Sequence, residues 1–588
     1  MIPARGWASV VAEVDFAVKS AAAFTFAQGN AIRGSGVVHP VAIGIHGSLG
    51  LGSPFEGGFV SNSVLMIGLD GATFDLLDPL VERGIMPFTG NVLKKSVRAN
   101  LMSTRQPLTP PAWTSMITGR SPTAHGIYDF LRPEFLADGG VFLKINDFRD
   151  NHCETIWSIA NRYNRRATSL NFYGMSPPPA IDGYVMSGFV PWRHLKQATH
   201  PKELYDEVRA LPNFDFRLLG MDIAEAKKTV QGLHQGEHEP WIDLQNKRDR
   251  AWAELTCHLM NKDRTDLTAI VLDGPDKVQH LFWRFVDPKF EENDASDWHK
   301  RIQNLSISFY NGLDRNLEMM FEAAGSDTDI LITSDHGFGP TTEIFYVNEW
   351  LSRNGYLHWS NIAEDDSVGQ LTADKLKNHL RMIDWKKTLA FCPTPSSNAI
   401  FIKKDKGSAL GVREEDYLPF LLKLQSELLG IRDPADADGQ PIIIGADLNK
   451  LRGSSFVEPC PDITLHLRDG GFVSILKSNE ILIQRPSPDG THRPAGIFIG
   501  HGPSFRKGVR LEALDILDVA PLILTLVGIP VPSDMEGRVP TEALVGNPEL
   551  RKGEATSAPT ADASDRSEPS PEECEALVSQ LKILGYMD

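Results

Sequence analysis

The chain has 588 residues, 41% apolar and 23% charged, with a formal net charge of −17. Such a length exceeds one ordinary core and implies one large domain with insertions, or two domains. The negative charge argues against a nucleic-acid duplex or an anionic membrane as main partner, and leaves an anionic small substrate acceptable only if bound cations reverse the local field.

Residues 1–62 are rich in Gly, Ala, Ser and Val and read as a flexible N-terminal extension. Their apolar patch AAAFTFA has Glu13 and Asp15 upstream and a poor basic region, so a signal peptide is not indicated and a cytoplasmic location is expected. No apolar run reaches the ~18 residues of a membrane helix. The five cysteines, Cys153, Cys257, Cys392, Cys460 and Cys574, never form a CxxC pair, which suggests neither a disulfide framework nor a thiolate metal site.

The first strong strand is VLMIGLDG (64–71), followed by the helical stretch TFDLLDPLVERG. QPLTPPAWTSMITGR (106–120) then reads as a helix with proline at its first position. That makes Thr109 its natural N-cap, yet two prolines leave few early N–H groups for the hydroxyl to serve. The oxygen is either a cap or reserved for something else. ETIWSIANRYN, LTAIVLDG, ISFYNGLDRNLEMMFEAA and DILITSDHG continue an alternation of helix and apolar strand, which implies a layered α/β fold with a largely parallel sheet. In such folds binding residues collect where strands end.

The expected organisation is a core in two parts, 63–345 and 481–545, around an inserted smaller α+β subdomain, 346–480. The insert has helices DKLKNHLRMI and YLPFLLKLQSELLG and strand-like NAIFIKKD and PDITLHL. Residues 546–572 have the composition of a disordered linker, and 573–588 form a short amphipathic helix.

Three predicted strands stop at carboxylates: Asp70; Asp273, followed by Asp276 and His280; and Asp335 with His336. A further histidine, His492, precedes an apolar strand, and His501 is its rival. Singly, each has a dull reading. A strand-end Asp before Gly is usually a turn former, and an Asp and His four apart are usually a polar pair on one helix face. Jointly, three carboxylates, three imidazoles and the Thr109 hydroxyl give a mixed nitrogen and oxygen donor set. That set suits zinc best, with manganese or iron as alternatives.

The motifs LDGATFD, TPPAWTSMITGRSPTAHGI, DKVQHLFWR, TSDHGFGP, GTHRPAGIFI and LDVAPLILTLVGIPVPSDMEGR, in this order, resemble the alkaline phosphatase superfamily, in particular its type I phosphodiesterase/nucleotide pyrophosphatase branch. The resemblance runs from about Val64 to the end of the chain and implies a three-layer α/β/α sandwich. It implies two divalent metal ions, one held by Asp276, His280 and His492, the other by Asp70, Asp335 and His336 with Thr109 completing it. Thr109 is then the nucleophile of a T-x-P segment. In one respect the chain departs from the eukaryotic-type pattern. Ala112 and Trp113 stand where an Asn would follow the proline, so the family's amide contact to phosphate has no counterpart here.

The resemblance implies a metal-dependent hydrolase of phosphodiester or phosphoanhydride bonds in small nucleotide-like substrates, working through a phosphothreonyl intermediate. Thr109 is expected at a helix start because backbone amides and the positive dipole end favour phosphate there. Within the superfamily a phosphomonoesterase or phosphotransferase is the alternative, and from another class a phosphate-binding protein that keeps the fold without catalysis. Arg120 and His125 could touch substrate, against a reading as surface caps or helix-end charges. Trp113 and Trp283 could stack on a base, against core packing. Asp273 is expected to orient its loop.

Overall fold

The computed structural model describes residues 63–136, 139–221, 235–290, 296–361, 379–405, 407, 410–433, 435, 439–451, 456–546 and 548–556. The N-terminal extension, the C-terminal helix and most of the linker expected from the sequence lie outside these residues.

Strand β1 (Ser63–Leu69) is buried along its whole length, as its unbroken apolar run requires of a strand covered on both faces. After it come β2 (Val97–Met102) and a hairpin of β3 (Leu131–Phe135) and β4 (Val141–Ile145). Next are β5 (Ala167–Leu170), β6 (Gly183–Met186), β7 (Thr199–His200), β8 (Leu267–Leu272), β9 (Thr328–Thr333) and β10 (Gly337–Tyr346). The insert supplies β11 (Ala390–Phe391), β12 (Ala399–Ile402), β13 (Ile443–Leu448), β14 (Ile463–Leu467) and β15 (Val473–Ser474). The chain returns through β16 (Leu482–Arg493) and β17 (Ala495–His501).

The central sheet has the order β2–β17–β9–β1–β8–β5–β6–β7, with Val509–Arg510 and Leu514–Asp515 paired beside β2. From β9 to β6 every neighbouring pair is parallel. Strand β17 runs antiparallel between β9 and β2. The alternation of β1 sends Leu65, Ile67 and Leu69 to one core and Val64 and Met66 to the other.

On the first side lie helices α1 (Phe74–Glu82) and, from later in the chain, three more; on the second lies α2 (Thr109–Thr118) with α3 (Ile156–Arg162). The later three are α4 (His238–Lys262), α5 (Gly274–Val286) and α6 (Asp297–Ala324). The result is the expected α/β/α sandwich with a largely parallel sheet. Because β1, β8 and β9 are parallel and in register, with Leu69 beside Leu272 and Gly68 beside Thr333, the loops after them leave one edge of the sheet together.

Beside the sandwich, β11–β12–β14–β13 form a four-stranded antiparallel sheet on which α7 (Glu414–Leu429) packs. NAIFIKKD, PDITLHL and YLPFLLKLQSELLG are found as β12, β14 and α7. The expected helix DKLKNHLRMI begins outside the described residues, and Leu380–Met382 form a single 3-10 turn. The sequence reading missed the ribbon in which β16 pairs antiparallel with β10, and β15 parallel with it. Its pattern is obscured because Pro and Gly interrupt both strands and β16 is only partly buried. The core of this region also takes in the β3–β4 hairpin, Leu108, Phe130 and Tyr173.

Candidate metal centre and nucleophile

Asp70 is the first residue past β1, and Gly71 turns the chain away at a φ of +69°. A side chain at Gly71 would meet the ring of Phe338 at 2.9 Å, so both the turn and the close approach require glycine. The Gly71 N–H donates to Asp335 Oδ1 (3.2 Å), and its carbonyl accepts from Gln279 Nε2 (2.9 Å). Strand β8 feeds α5, whose first turn carries Asp276, with His280 one turn later on the same face. After β9 the chain bends through Ser334, Asp335 and His336 into β10, held by Ser334 Oγ, which donates to Ala72 O (2.9 Å) and accepts from Ile497 N–H (2.8 Å). His492 sits on β16 opposite Phe338.

These side chains converge, and all of them are buried. His492 Nε2 lies 3.0 Å from Asp276 Oδ1 and 3.0 Å from His280 Nε2, which is itself 3.4 Å from Asp276 Oδ1. His336 Nε2 is 3.2 Å from Asp335 Oδ2 and 3.5 Å from Asp70 Oδ1. The His336 and His492 rings stack at 3.5 Å. Asp276, His280 and His492 form one grouping able to hold a cation, and Asp70, Asp276 and His336 a second, with all donor atoms of each within 4.8 Å of one another. Asp276 therefore belongs to both groupings.

Each imidazole turns Nδ1 toward a backbone carbonyl: His280 to Gly490 (3.2 Å), His336 to Gly337 (3.1 Å) and His492 to Pro107 (2.7 Å). A carbonyl can only accept, so Nδ1 carries the hydrogen and Nε2 presents a lone pair to the centre. Burial holds His492 down at about 4, and burial with the His492 charge pushes His336 well below its ordinary value, so both are neutral near pH 7. Burial, then repulsion by Asp335 and Asp276, pushes Asp70 up; burial and the Asp276 charge do the same to Asp335. Among the described residues Asp70 Oδ1 and Asp335 Oδ2 accept no hydrogen bond. Lone pairs and carboxylate oxygens aimed at one point, without donors, are the surroundings of a cation.

Thr109 Oγ1 lies 3.5 Å from His336 Nε2. The N-cap position belongs to Leu108, in extended backbone (φ −132°, ψ 140°), and α2 has no side-chain cap. Of the two readings left open for the Thr109 hydroxyl, the cap falls away: Thr109 is the first helical residue. The reliance on backbone amides is corrected. Pro110 and Pro111 have no N–H, and that of Ala112 is bonded to Leu108 O (3.0 Å). The helix start therefore offers an anion few donors.

Residues 64–438 match the type I phosphodiesterase/nucleotide pyrophosphatase family. The chain belongs to this family. It is accordingly a hydrolase of the nucleotide pyrophosphatase/phosphodiesterase kind, and a small nucleotide substrate fits this metal-dependent family. No curated protein matches it. Among solved structures it is similar to human ectonucleotide pyrophosphatase/phosphodiesterase 5, with a TM-score of 0.46 at 14% identity over 82% of this chain and 100% of that one. The murine counterpart, as an inactive form in complex with AMP, gives 0.46 at 15% over the same shares. Among the described residues no helix is long and apolar enough to cross a membrane.

In this phosphodiesterase-family chain the remaining candidates, Trp113 apart, fall away from the centre. Asp273 pairs with Lys277 Nζ (2.5 Å) beneath the start of α5, as a loop-orienting residue would. Arg120 is paired with Asp534 and Glu536. His125 is fully buried rather than a surface cap: its Nδ1 accepts from Ile127 N–H (3.1 Å), its Nε2 faces Ser115 Oγ (3.0 Å), and burial lowers it to about 3. Trp283 is core, stacked on Phe338 with its N–H on Asp287 (3.0 Å). Trp113 and Ala112 belong to the core as well, and neither side chain carries an amide in place of the missing Asn. His501 ends β17 and contacts Ser96 Oγ (2.9 Å). The sequence reading missed Gln279, Phe338 and the Pro107 carbonyl, which act only through contacts between distant segments.

Proposed function

We propose that the chain cleaves phosphodiester or phosphoanhydride bonds of small nucleotide-like molecules with Thr109 as nucleophile, at a centre of two divalent cations. Asp276, His280 and His492 would hold one; Asp70, Asp335 and His336 the other, and Asp276 is within reach of both groupings. When bound, such cations, zinc first by the donor set, supply Lewis-acid polarisation of phosphoryl oxygens and lower the pKa of a nearby hydroxyl. Thr109 Oγ1 forms the new bond to phosphorus as the leaving group departs, and water then cleaves the phosphothreonyl ester. Helix α2 fixes the hydroxyl for in-line attack, so much of the rate comes from positioning. The water-excluding burial of all seven side chains strengthens every charge interaction there.

One observation carries this reading. His280 and His492 direct Nε2 lone pairs at each other across 3.0 Å, with both Nδ1 hydrogens committed to carbonyls. Two lone pairs at that separation repel unless a proton or a metal cation lies between them, and the burial that holds His492 down at about 4 disfavours the proton. The test is turnover of bis-p-nitrophenyl phosphate, p-nitrophenyl phosphate and a p-nitrophenyl nucleotide monoester, with and without chelator. The diester and nucleotide should turn over faster than the monoester, chelator should stop all three, and Thr109→Ala should be folded but inert. Faster monoester cleavage would make the protein a phosphomonoesterase. Absence of metal-dependent turnover on any substrate would make it a binding protein.

A further inference from the structure

We propose that Trp113 is a positioning residue whose indole N–H fixes the orientation of the Asp70 carboxylate, an inference that rests on the metal reading above. Trp113 Nε1 donates to Asp70 Oδ2 at 3.3 Å. The roles are unambiguous, because an indole only donates and a carboxylate only accepts. The bond occupies one oxygen of Asp70 and leaves the other, Oδ1, facing His336 Nε2 at 3.5 Å. Outer hydrogen bonds of this kind orient a ligating carboxylate, and losing one typically costs ~10–100-fold in metal affinity or activity.

Two features of the fold serve this contact. Trp113 stands four residues after Thr109 on α2, one turn along the same face. A single helix thus carries the attacking hydroxyl and the support for a carboxylate beside it. Gly68 lies two residues before Asp70 on β1, so positions 68 and 70 face the same side of the sheet. A side chain at Gly68 would lie 2.4 Å from Trp113 Cη2. The indole therefore lies against the strand where only glycine leaves room, with its six-membered ring at Gly68 and its N–H at Asp70.

Trp157 separates positioning from packing. It is buried in the same core cluster as Trp113. Both rings pack edge-on against Phe172, at 5.6 Å for Trp113 and 5.1 Å for Trp157. The Trp157 N–H, however, has no hydrogen-bond partner among the described residues. Trp113→Phe and Trp157→Phe therefore remove the same bulk from one core, and only the first removes a bond to Asp70.

The experiment strips the full-length protein of cations and titrates Zn2+ against a competing chromophoric chelator for wild type and both variants. Melting temperatures of the stripped proteins and kcat and KM on bis-p-nitrophenyl phosphate are measured alongside. Both variants should lose similar melting temperature. Trp113→Phe alone should bind Zn2+ ~10–100-fold more weakly, with a lower kcat, an unchanged KM and partial recovery at excess Zn2+. If Trp113→Phe does not fold, the benzothienyl isostere at position 113, which keeps the shape and lacks the N–H, should show the same weakened affinity. Equal Zn2+ affinity in the two Phe variants, or wild-type affinity in the isostere, overturns the proposal. Wild-type protein that takes up no Zn2+ overturns the metal reading and this inference with it.

Discussion

Asp335 at the strand-end centre and Asp314 on α6 are both buried aspartates in this sheet-and-helix core, and their surroundings are opposites. Asp314 accepts from Phe88 N–H (2.9 Å), Thr89 N–H (2.8 Å) and the Thr89 hydroxyl (2.6 Å). Asp129, beneath the insert, is likewise met by the hydroxyls of Thr394 and Ser396 and by Phe130 N–H. Among the described residues Asp335 has one backbone donor for Oδ1 and none for Oδ2, and Asp70 has only the indole of Trp113. Folding does not ordinarily leave buried charges so poorly served, since each unmet group costs ~1–3 kcal/mol or more. A carboxylate with a full set of donors holds the fold together, and one left short is completed by something the chain does not encode.

The sharpest way to break that contrast is to neutralise one carboxylate of each kind. Asp335→Asn should lower kcat by more than the ~100-fold that outer-shell changes cost, yet leave the cation-stripped protein at least as stable as wild type. Asp314→Asn should do the reverse, keeping activity while stability falls by about 1–3 kcal/mol. Denaturant melts of stripped protein beside initial rates of loaded protein check both. If Asp335→Asn destabilised the stripped form as Asp314→Asn does, the distinction would be lost. Cation addition tests the same contrast without mutation. Zn2+ at ~1,000 times its dissociation constant should stabilise the stripped protein by about 4 kcal/mol and give Asp335→Asn much less.

How much of this was legible in the sequence depends on how much a strand end reveals. Asp70, Asp335 and His336 could be found because buried parallel strands are unbroken apolar runs, and the first polar residues after them mark the sheet edge. Asp276 and His280 were readable from their spacing on one helix. His492 was not separable from His501 by spacing, because the two flank the same strand. What decides between them is that β17 runs antiparallel to β9, so its beginning lies at the site and its end at the far edge. Direction of pairing is a tertiary fact, and only the family resemblance supplied it. The β10–β16 ribbon that carries His492 was illegible for another reason: its partly exposed, Pro- and Gly-interrupted strands lack a clean period. Thr109 could be read as the natural N-cap, but Leu108 takes the extended cap conformation one residue earlier, a shift of one position that the sequence does not reveal.

Asp129 offers the finest test, because it asks what neutral donors alone can do for a buried charge. Burial pushes its carboxyl up to about 6 from the ordinary 3.8, even with Thr394, Ser396 and Phe130 donating to it. The folded value exceeds the unfolded one, so the contribution of Asp129 to stability is fully present below pH 3.8 and is lost as pH rises through about 6. A gap of about 2 units at ~1.4 kcal/mol each makes that loss about 3 kcal/mol. Asp129→Asn cannot ionise, so the fall in stability of stripped protein between pH 4 and pH 7 should shrink by up to that amount. Denaturant midpoints at the two pH values measure it, and a profile parallel to wild type would mean that the hydroxyls keep Asp129 charged without penalty. In that case neutral donors alone would serve a buried carboxylate, and their shortage around Asp70 and Asp335 would point to a cation all the more.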